Sequence, residues 1–564
     1  MRFLYFVLLM LSTSACAVSS PAAPSSTSLA TPASPASAKR ITVAIRGDPK
    51  TLSAKLNAAA GAGSPPGVTE TEELLNDGLA FVTTSGAVHA QLAAEVPSAD
   101  NGLWQVFDDG RMQTTWKIRE GVTWHDGAPF TSADLDFTAQ VQQDPDLPIF
   151  RDVAYGAVES VAAPDPQTIV VVWKRPFIQA DSLFTNFRGL PLPQHLLKTA
   201  YEQDKSSIPN LTYWSTDYIG TGPFRLRELV LGSHVTLDAN NSFVLGRPKL
   251  DSIDVRFIPD PSTLATNVLA GGIDLTLGDR LPIEWTTQVR DQWTAGRMAT
   301  SPPTTAINLY PQFIDPTPPV LANAQFRKAL QLAIDREQLV DTIALGQTQI
   351  AHATISQADT LWSAIEPSII TYGYDPLQAG QILAGLGYVR GNDGTLRDSG
   401  GQPLSIEIRS TVTDDAQMKT MAATAAFWQQ LGITVNQVAV PQQQESDREY
   451  RATRPAFEDV RQPGGWQELP RLYGPNAPTA ANDYTGINRS RYQNPEFDAL
   501  IDQFFATISV DQRIDVLRQI MHIETDQLPI LGLYWDPALL LVSNRLANVQ
   551  SSGEVWDAQL WDVS

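Results

Sequence analysis

The run from Met112 to Gln140, MQTTWKIREGVTWHDGAPFTSADLDFTAQ, leaves its local structure little freedom, because each signal in it points to one strand, turn and helix unit. Thr114 to Arg119 alternates enough for a half-buried strand. Glu120-Gly121 and His125-Asp126-Gly127-Ala128-Pro129 supply turn chemistry on either side of Trp124. A helix then begins. Thr131 is a good N-cap, Asp134 holds the N3 position of a capping box, and Phe130 with Leu135 can close a hydrophobic staple across the cap.

At 564 residues the chain is too long for one ordinary core, so two or three lobes are expected, and its 40 Pro and 36 Gly predict many loops and turns. Strand and helix signals are mixed along it. Arg40 to Ile45 is β-branched and opens the folded part, and Ile253 to Ile258 alternates as a strand. In Asn323 to Gly346, Phe326, Leu330, Ala333 and Ile334 keep helical spacing. There Asp335 can cap a second helix with Gln338 at N3, and Gly346 is a natural stop. Asp375-Pro376 gives a further N-cap and N1 pair, closed by Gly387. Leu404 to Arg409, Asp415 to Leu431 and Ile433 to Val438 read as strand, helix and strand, a crossover that implies parallel pairing and a right-handed connection. Asp511 to Gln527 is a last amphipathic helix with Ile514, Leu517, Ile520 and Met521 on one face, and Pro529 to Trp535 is a buried strand. Such units with long connections predict an α/β fold whose lobes surround a cleft. No internal repeat is apparent.

The opening segment resembles the signature W-K-L-R-x-G-V-x-W-H-D-G-x-P-[FL]-T-A-x-D of the family 5 solute-binding proteins of ABC importers, the dipeptide, oligopeptide and nickel receptors. Further passages are similar to that family. They are Gln194-His195-Leu196-Leu197, the turn Gly220-Thr221-Gly222-Pro223-Phe224, Asn240 to Phe243 with Gly246 to Leu250, and Gly271-Gly272-Ile273-Asp274. RKALQLAIDR and Tyr492-Gln493-Asn494-Pro495-Glu496-Phe497-Asp498 complete the series. The resemblance runs from about residue 40 to about residue 545. It implies a periplasmic-binding-protein-like fold of two main lobes plus an inserted lobe, with hinge strands near Thr304 to Tyr310 and near Ile530 to Trp535. On that basis lobe I is expected from 39–75 with 207–305 and 536–564, the inserted lobe II from 76–206, and lobe III from 306–535.

Arg2, the apolar run Phe3 to Leu11 and Ser12-Thr13-Ser14-Ala15-Cys16 read as a signal peptide over 1–15, too short for a membrane span of roughly 20 apolar residues. Cys16, the single cysteine, stands where a bacterial lipoprotein carries its lipid. The resemblance here is to a lipobox, although Thr13 replaces the usual aliphatic residue, and Cys16 is expected to be lipidated. Residues 16–38, almost wholly Ser, Pro, Ala and Thr, would tether the folded body at a distance from the membrane. The net charge of -21 repels phosphate backbones and excludes a basic stripe for nucleic acid.

The chain lacks a G-x-S-x-G elbow, a Gly-rich phosphate loop ending in Gly-Lys-Ser/Thr, an H-E-x-x-H pair and a C-x-x-C pair. Its six histidines, His89, His125, His195, His234, His352 and His522, have no metal-spaced partner, and adjacent His125 and Asp126 do not face each other as a dyad. No enzyme activity, metal or cofactor is expected. Thirteen Trp and fourteen Tyr instead supply amphipathic surface for a binding cleft. The Gly-rich passage Arg461 to Pro470 presents Trp466 and then polar groups. It corresponds to the family's G-W-x-x-D-Y-x-D-P passage, which lines the cleft and whose Asp takes a peptide's α-amino group. Leu469 occupies the place of that Asp. Glu468 adjoins it but points to the opposite face if the segment is extended. The expected ligand-binding residues are therefore Arg461, Gly465, Trp466, Gln467 and Glu468. Gly63, in the loop from Asn57, and Gly278 with Asp279 are added where backbone approaches ligand in the family. The expected function is that of an extracytoplasmic, lipid-anchored, monomeric receptor that closes on a small solute, a peptide by the family's habit, and delivers it to an ABC permease. A receptor for an oligosaccharide, an opine-like solute or a metal chelate is the alternative within the fold, and a secreted hydrolase is the alternative outside it.

Overall fold

The computed structural model describes residues 38–57, 64–147, 149–150, 152–278, 281–301, 303–412, 414–444 and 447–564. The leader, Cys16 and the tether up to Ser37 lie outside them. Lys39–Ser564 forms one unit.

Three sheets carry the architecture. The seven-stranded sheet is ordered Gly296–Ser301, Ala538–Ser543, Leu275–Thr276, Arg40–Ile45, Ser252–Phe257, His234–Ala239 and Phe224–Val230. Arg40–Ile45 pairs in parallel with both neighbours, a central position that suits its β-branched, apolar composition. Its side chains Ile41, Val43 and Ile45 join Leu237, Val255 and Leu275 in one core.

A four-stranded antiparallel sheet is ordered Trp104–Val106, Met112–Lys117, Thr168–Trp173 and Val158–Asp165. The expected alternation is present, with Met112, Thr114 and Trp116 buried. Helix α1 (Ser132–Gln143) follows, capped at Thr131, whose backbone N–H donates to the Asp134 carboxylate at 2.9 Å. Phe130 and Leu135 enter the same core as Trp116 and Trp124, as a staple requires.

The five-stranded sheet is ordered Thr434–Val440, Ser405–Thr411, Phe457–Pro463, Thr305–Pro311 and Leu531–Trp535. Ser405–Thr411, helix α2 (Asp415–Gln430) and Thr434–Val440 form the parallel crossover that the sequence predicts. One side of this sheet, including Ile307, Leu309, Ile406 and Ile408, packs under α2 and Ala324–Leu332 through Trp428, Phe326 and Leu330. A second core holds Leu469, Phe497, Phe504, Leu517, Ile520 and Met521 and is built around helix α3 (Val510–Gln527). In α3 the buried stripe contains Val516 in place of the expected Ile514, which is only half-buried.

The connection between the two larger sheets matters most for a site. We label the strands β1 (Gly296–Ser301), β2 (Thr305–Pro311), β3 (Phe457–Pro463), β4 (Leu531–Trp535) and β5 (Ala538–Ser543). β1 pairs with β5 in the seven-stranded sheet, and β2 pairs with β4 in the five-stranded one, both antiparallel. The chain thus crosses twice along a single two-stranded ribbon, with Asp536 N–H donating to Thr305 O at 2.8 Å in the gap. The family resemblance implies two crossing strands near Thr304 to Tyr310 and near Ile530 to Trp535, where β2 and β4 run.

Candidate functional site

The ribbon lies beside the end of β3. There Gly464 N–H donates to Thr304 O and Gly465 N–H to Thr354 O, each at 2.8 Å. A Cβ on Gly464 would stand 2.5 Å from Trp535 Cη2 and 2.6 Å from Thr354 O, so no larger residue fits this turn. Gly465 follows at φ 110, in a region that favours glycine.

From Trp466 the chain does not run extended, as the sequence argument about Glu468 assumed; Trp466–Arg471 is a 3-10 helix. The reason is local and apolar. The glycine pair reverses the chain and Leu469 then anchors it, fully buried among the side chains of the second core. Glu468 is turned to Arg471, one helical step away, and the two form an ion pair. Trp466 is half-buried, with its ring centroid 5.8 Å from that of Phe504 and 6.4 Å from that of Phe505. Gln467 reaches the hairpin of Ala80–Val82 and Val88–Ala90, where its Nε2 lies 2.9 Å from the point that a Cβ on Gly86 would occupy. Arg461, at the same end of β3, is held between Asp414, the N-cap of α2, and Asp536, the latter at 2.8 Å. It braces β3, α2 and the ribbon.

Gly278 follows Leu275–Thr276 at φ 72, and a Cβ there would fall 1.8 Å from Gly67 N. The close approach that its glycine permits is to the chain's own backbone. Gly63 and Asp279, like Cys16, lie outside the described residues, and Asn57 accepts a hydrogen bond from Lys50 N–H at 2.8 Å. The structure therefore brings Arg461, Gly465, Trp466, Gln467 and Glu468 to one end of β3, and it ties Gly278 to the 66–67 turn.

Next to the glycine turn is a narrow pocket that the sequence did not reveal. It is lined by Asn308 and Tyr310 of β2, His352 and Thr354, Gly464, Glu524 of α3, and Gly532 and Trp535 of β4, with space for about one water-sized group. Pro463 at its rim is exposed, whereas Glu524 and Trp535 are buried. Glu524 Oε1 accepts hydrogen bonds from Thr354 N–H at 2.7 Å and from Thr354 Oγ1 at 2.5 Å. Among the described residues, Glu524 Oε2, His352 Nδ1 and Trp535 Nε1 have no partner. Burial pushes the Glu524 carboxyl up to about 7, Thr354 opposing it only in part. Burial, with Arg336 nearby, pushes His352 down to about 4, so its ring is neutral at pH 7.

A signal for Glu524 exists in the sequence. It lies four residues after Ile520, three after Met521 and seven after Leu517, which places an acid on the apolar stripe of a helix. On the other side of β3, Asp459 is also buried with neither carboxylate oxygen partnered among the described residues, and burial raises its carboxyl well above the usual range. Asp459 does not line the pocket. No group of three or more His, Cys, Asp or Glu suited to a metal occurs among the described residues.

The profile of the bacterial extracellular solute-binding proteins, family 5 Middle, matches residues 90–470. A Brucella ovis protein with a provisional ABC-transporter peptide-binding name is 28% identical over 312 residues, 55% of this chain and 54% of its own. The chain thus spans about half the length of that curated relative. Among solved structures, the Bacillus subtilis oligopeptide-binding protein AppA with a nonapeptide is 20% identical and superposes with a TM-score of 0.73, covering 93% of this chain and 99% of its own. NikZ from Campylobacter jejuni with Ni(L-His) is 18% identical, with a TM-score of 0.74 over 93% of this chain and 99% of its own. At these identities the superpositions establish a shared periplasmic-binding-protein-like fold.

Proposed function

Because the chain belongs to the bacterial extracellular solute-binding proteins of family 5, we propose that it captures a peptide-like solute outside the cytoplasm by hinge closure and delivers it to an ABC permease. The observation that carries this reading is the double passage between the two large sheets, along β1–β2 and back along β4–β5, directly beside the glycine turn and its polar pocket. Two bodies joined by one ribbon have an open and a closed arrangement available. A solute that touches both lowers the closed one in proportion to its differential affinity. In this reading lobe I comprises 39–75, 207–305 and 536–564, lobe II is 76–206 and lobe III is 306–535.

Peptide is preferred as the solute because Leu469 and the ion-paired Glu468 still leave Trp466 and Gln467 at the turn. The Bacillus relative holds a nonapeptide in the same fold, and the Campylobacter relative holds a nickel chelate. The leader and Cys16 fit an exported, lipid-anchored receptor working as a monomer, and no helix among the described residues is long and apolar enough to cross a membrane.

A thermal-shift panel of peptides, oligosaccharides and metal chelates tests the reading. A solute that binds only the native state stabilises it by RT ln(1 + [L]/Kd), about 2.7 kcal/mol at a hundred times Kd. Peptides are expected to raise Tm, and small-angle scattering of the same samples should show compaction. Catalytic turnover of a peptide or glycoside, lost on replacing one carboxylate, would instead establish a hydrolase.

A further inference from the structure

We propose that the pocket behind Gly464 seats an ammonium group of the solute, held by Glu524 Oε2 and His352 Nδ1, with Trp535 Nε1 donating to an oxygen beside it. This rests on the solute-capture reading and specifies which end of the solute is anchored and where.

The chemistry follows from what the pocket leaves unpaired. Buried polar atoms are nearly always partnered, because each unpaired one costs its full desolvation. Here three lie around one narrow pocket, on side chains from α3, β4 and the 352–354 segment. Glu524 Oε2 is an acceptor. His352 is neutral, and its unpaired Nδ1 accepts when the ring carries its proton on Nε2. Trp535 Nε1 is a donor only. Two acceptors beside one donor match a primary ammonium next to a carbonyl oxygen, the arrangement at the first residue of a peptide. The space is water-sized, which an ammonium head fits and a ring or carboxylate does not.

Asp459 of β3 also has unpartnered oxygens among the described residues but does not line the pocket, and the carboxylates nearer the glycine turn are taken. Asp414 and Asp536 hold Arg461, Glu468 holds Arg471, and Leu469 is enclosed in the core. Glu524 keeps one oxygen for Thr354 and has one left. The charged and titratable groups around it are few. His352 and Tyr310 line the pocket, Arg336 lies near His352, and Asp526 on the same helix is engaged by Lys328 at 2.7 Å.

Glu524→Gln keeps the acceptor for Thr354 and removes the charge, so it isolates the proposed role from a structural one; His352→Gln is a second variant. The probes are trialanine and N-acetyl-trialanine, with maltotriose and nickel–histidine in parallel, measured by thermal shift at about pH 5.5 and about pH 7.5. For the wild type, trialanine should bind at least about tenfold tighter than its acetylated form at the higher pH. Its advantage should shrink at the lower pH, where Glu524 is neutral. In Glu524→Gln the two peptides should become equal and the pH dependence should vanish, and His352→Gln should reduce the preference. Equal stabilisation of the wild type by the two peptides would overturn the ammonium site and leave solute capture standing. Stabilisation by maltotriose or nickel–histidine with none by either peptide would overturn the ammonium site and the peptide class together. Stabilisation by none of the four would overturn the capture reading itself.

Discussion

His125, half-buried in a turn, and Glu524, buried in helix α3, are both titratable side chains, and they differ in what surrounds them. His125, in the W-H-D-G turn, has Nε2 3.0 Å from Gly222 O and Nδ1 accepting from Gly220 N–H at 3.2 Å. Two passages that resemble the family are thereby locked onto each other, and Asp126 is fixed in turn by His195 at 2.9 Å. Glu524, behind the Gly464 turn, satisfies one oxygen with Thr354 and leaves the other without a partner. Both ring nitrogens of His125 are satisfied by the chain's own backbone, although Trp116 Nε1 and Trp124 Nε1 in the same passage have no partner among the described residues. Glu524 keeps an acceptor open beside a pocket, and an open acceptor in a buried place is where a ligand's atoms gain most.

The strongest way to break that division is to restore the family's acid. Leu469→Asp buries a carboxyl in a core of Leu472, Phe497 and Phe504, and should cost on the order of 5 kcal/mol in urea unfolding, with no gain in preference for free-amine peptides. Retained stability with a new amine preference would show that this position reaches the cleft after all. In the fold-marking passage, Trp116→Ala removes a fully buried ring and should cost about 4 kcal/mol. The Kd for any solute, measured well below the lowered Tm, should stay within about twofold.

The two titrating groups pull stability in opposite directions with pH. His125 is pushed down to about 4 from 6.5, so its contribution is present above 6.5 and is lost as pH falls through 4. Glu524 is pushed up to about 7 from 4.5, so its contribution is present below 4.5 and is lost as pH rises through 7. Without solute, Glu524→Gln should therefore gain on the wild type by roughly 3 kcal/mol between those two pH values in urea unfolding. A flat difference between the two proteins would mean that Glu524 is charged and already compensated.

Much of this fold was legible because it is written in local chemistry. Thr131 and Asp134, Asp335 and Gln338, and Asp375 with Pro376 are each a cap whose partners lie within three residues, and all three cap their helices as the sequence predicts. The parallel crossover around α2 was legible for the same reason, since its periods change from two to helical and back. The pocket was not, because its walls come from positions 308, 352, 464, 524 and 535, far apart in the chain. The 3-10 turn after Trp466 is not legible locally, because Leu469 is fixed by apolar partners distant in the chain. Its apolar partners Phe497 and Phe504 come from a helix that starts at Pro495.

The smallest expected effect concerns closure. Lys419 of α2 pairs with Glu284 of Ile283–Gln292, a helix packed against β1, and also with Asp415 at 2.7 Å. Lys419 lies on the helix of the five-stranded sheet and Glu284 on a helix against the seven-stranded one, so on the hinge-closure proposal the pair forms only when the two are together. Both side chains are about half exposed, and such pairs contribute roughly 0.2–1 kcal/mol. Glu284→Gln leaves Lys419 its Asp415 partner, so unfolding stability should hardly move. Solute affinity should weaken by less than about fivefold at low salt and not at all near 1 M, where screening shortens to about 3 Å. A loss of unfolding stability equal to the loss of affinity would place the pair within a rigid interface, and the ribbon of β1, β2, β4 and β5 would then be a brace and not a hinge.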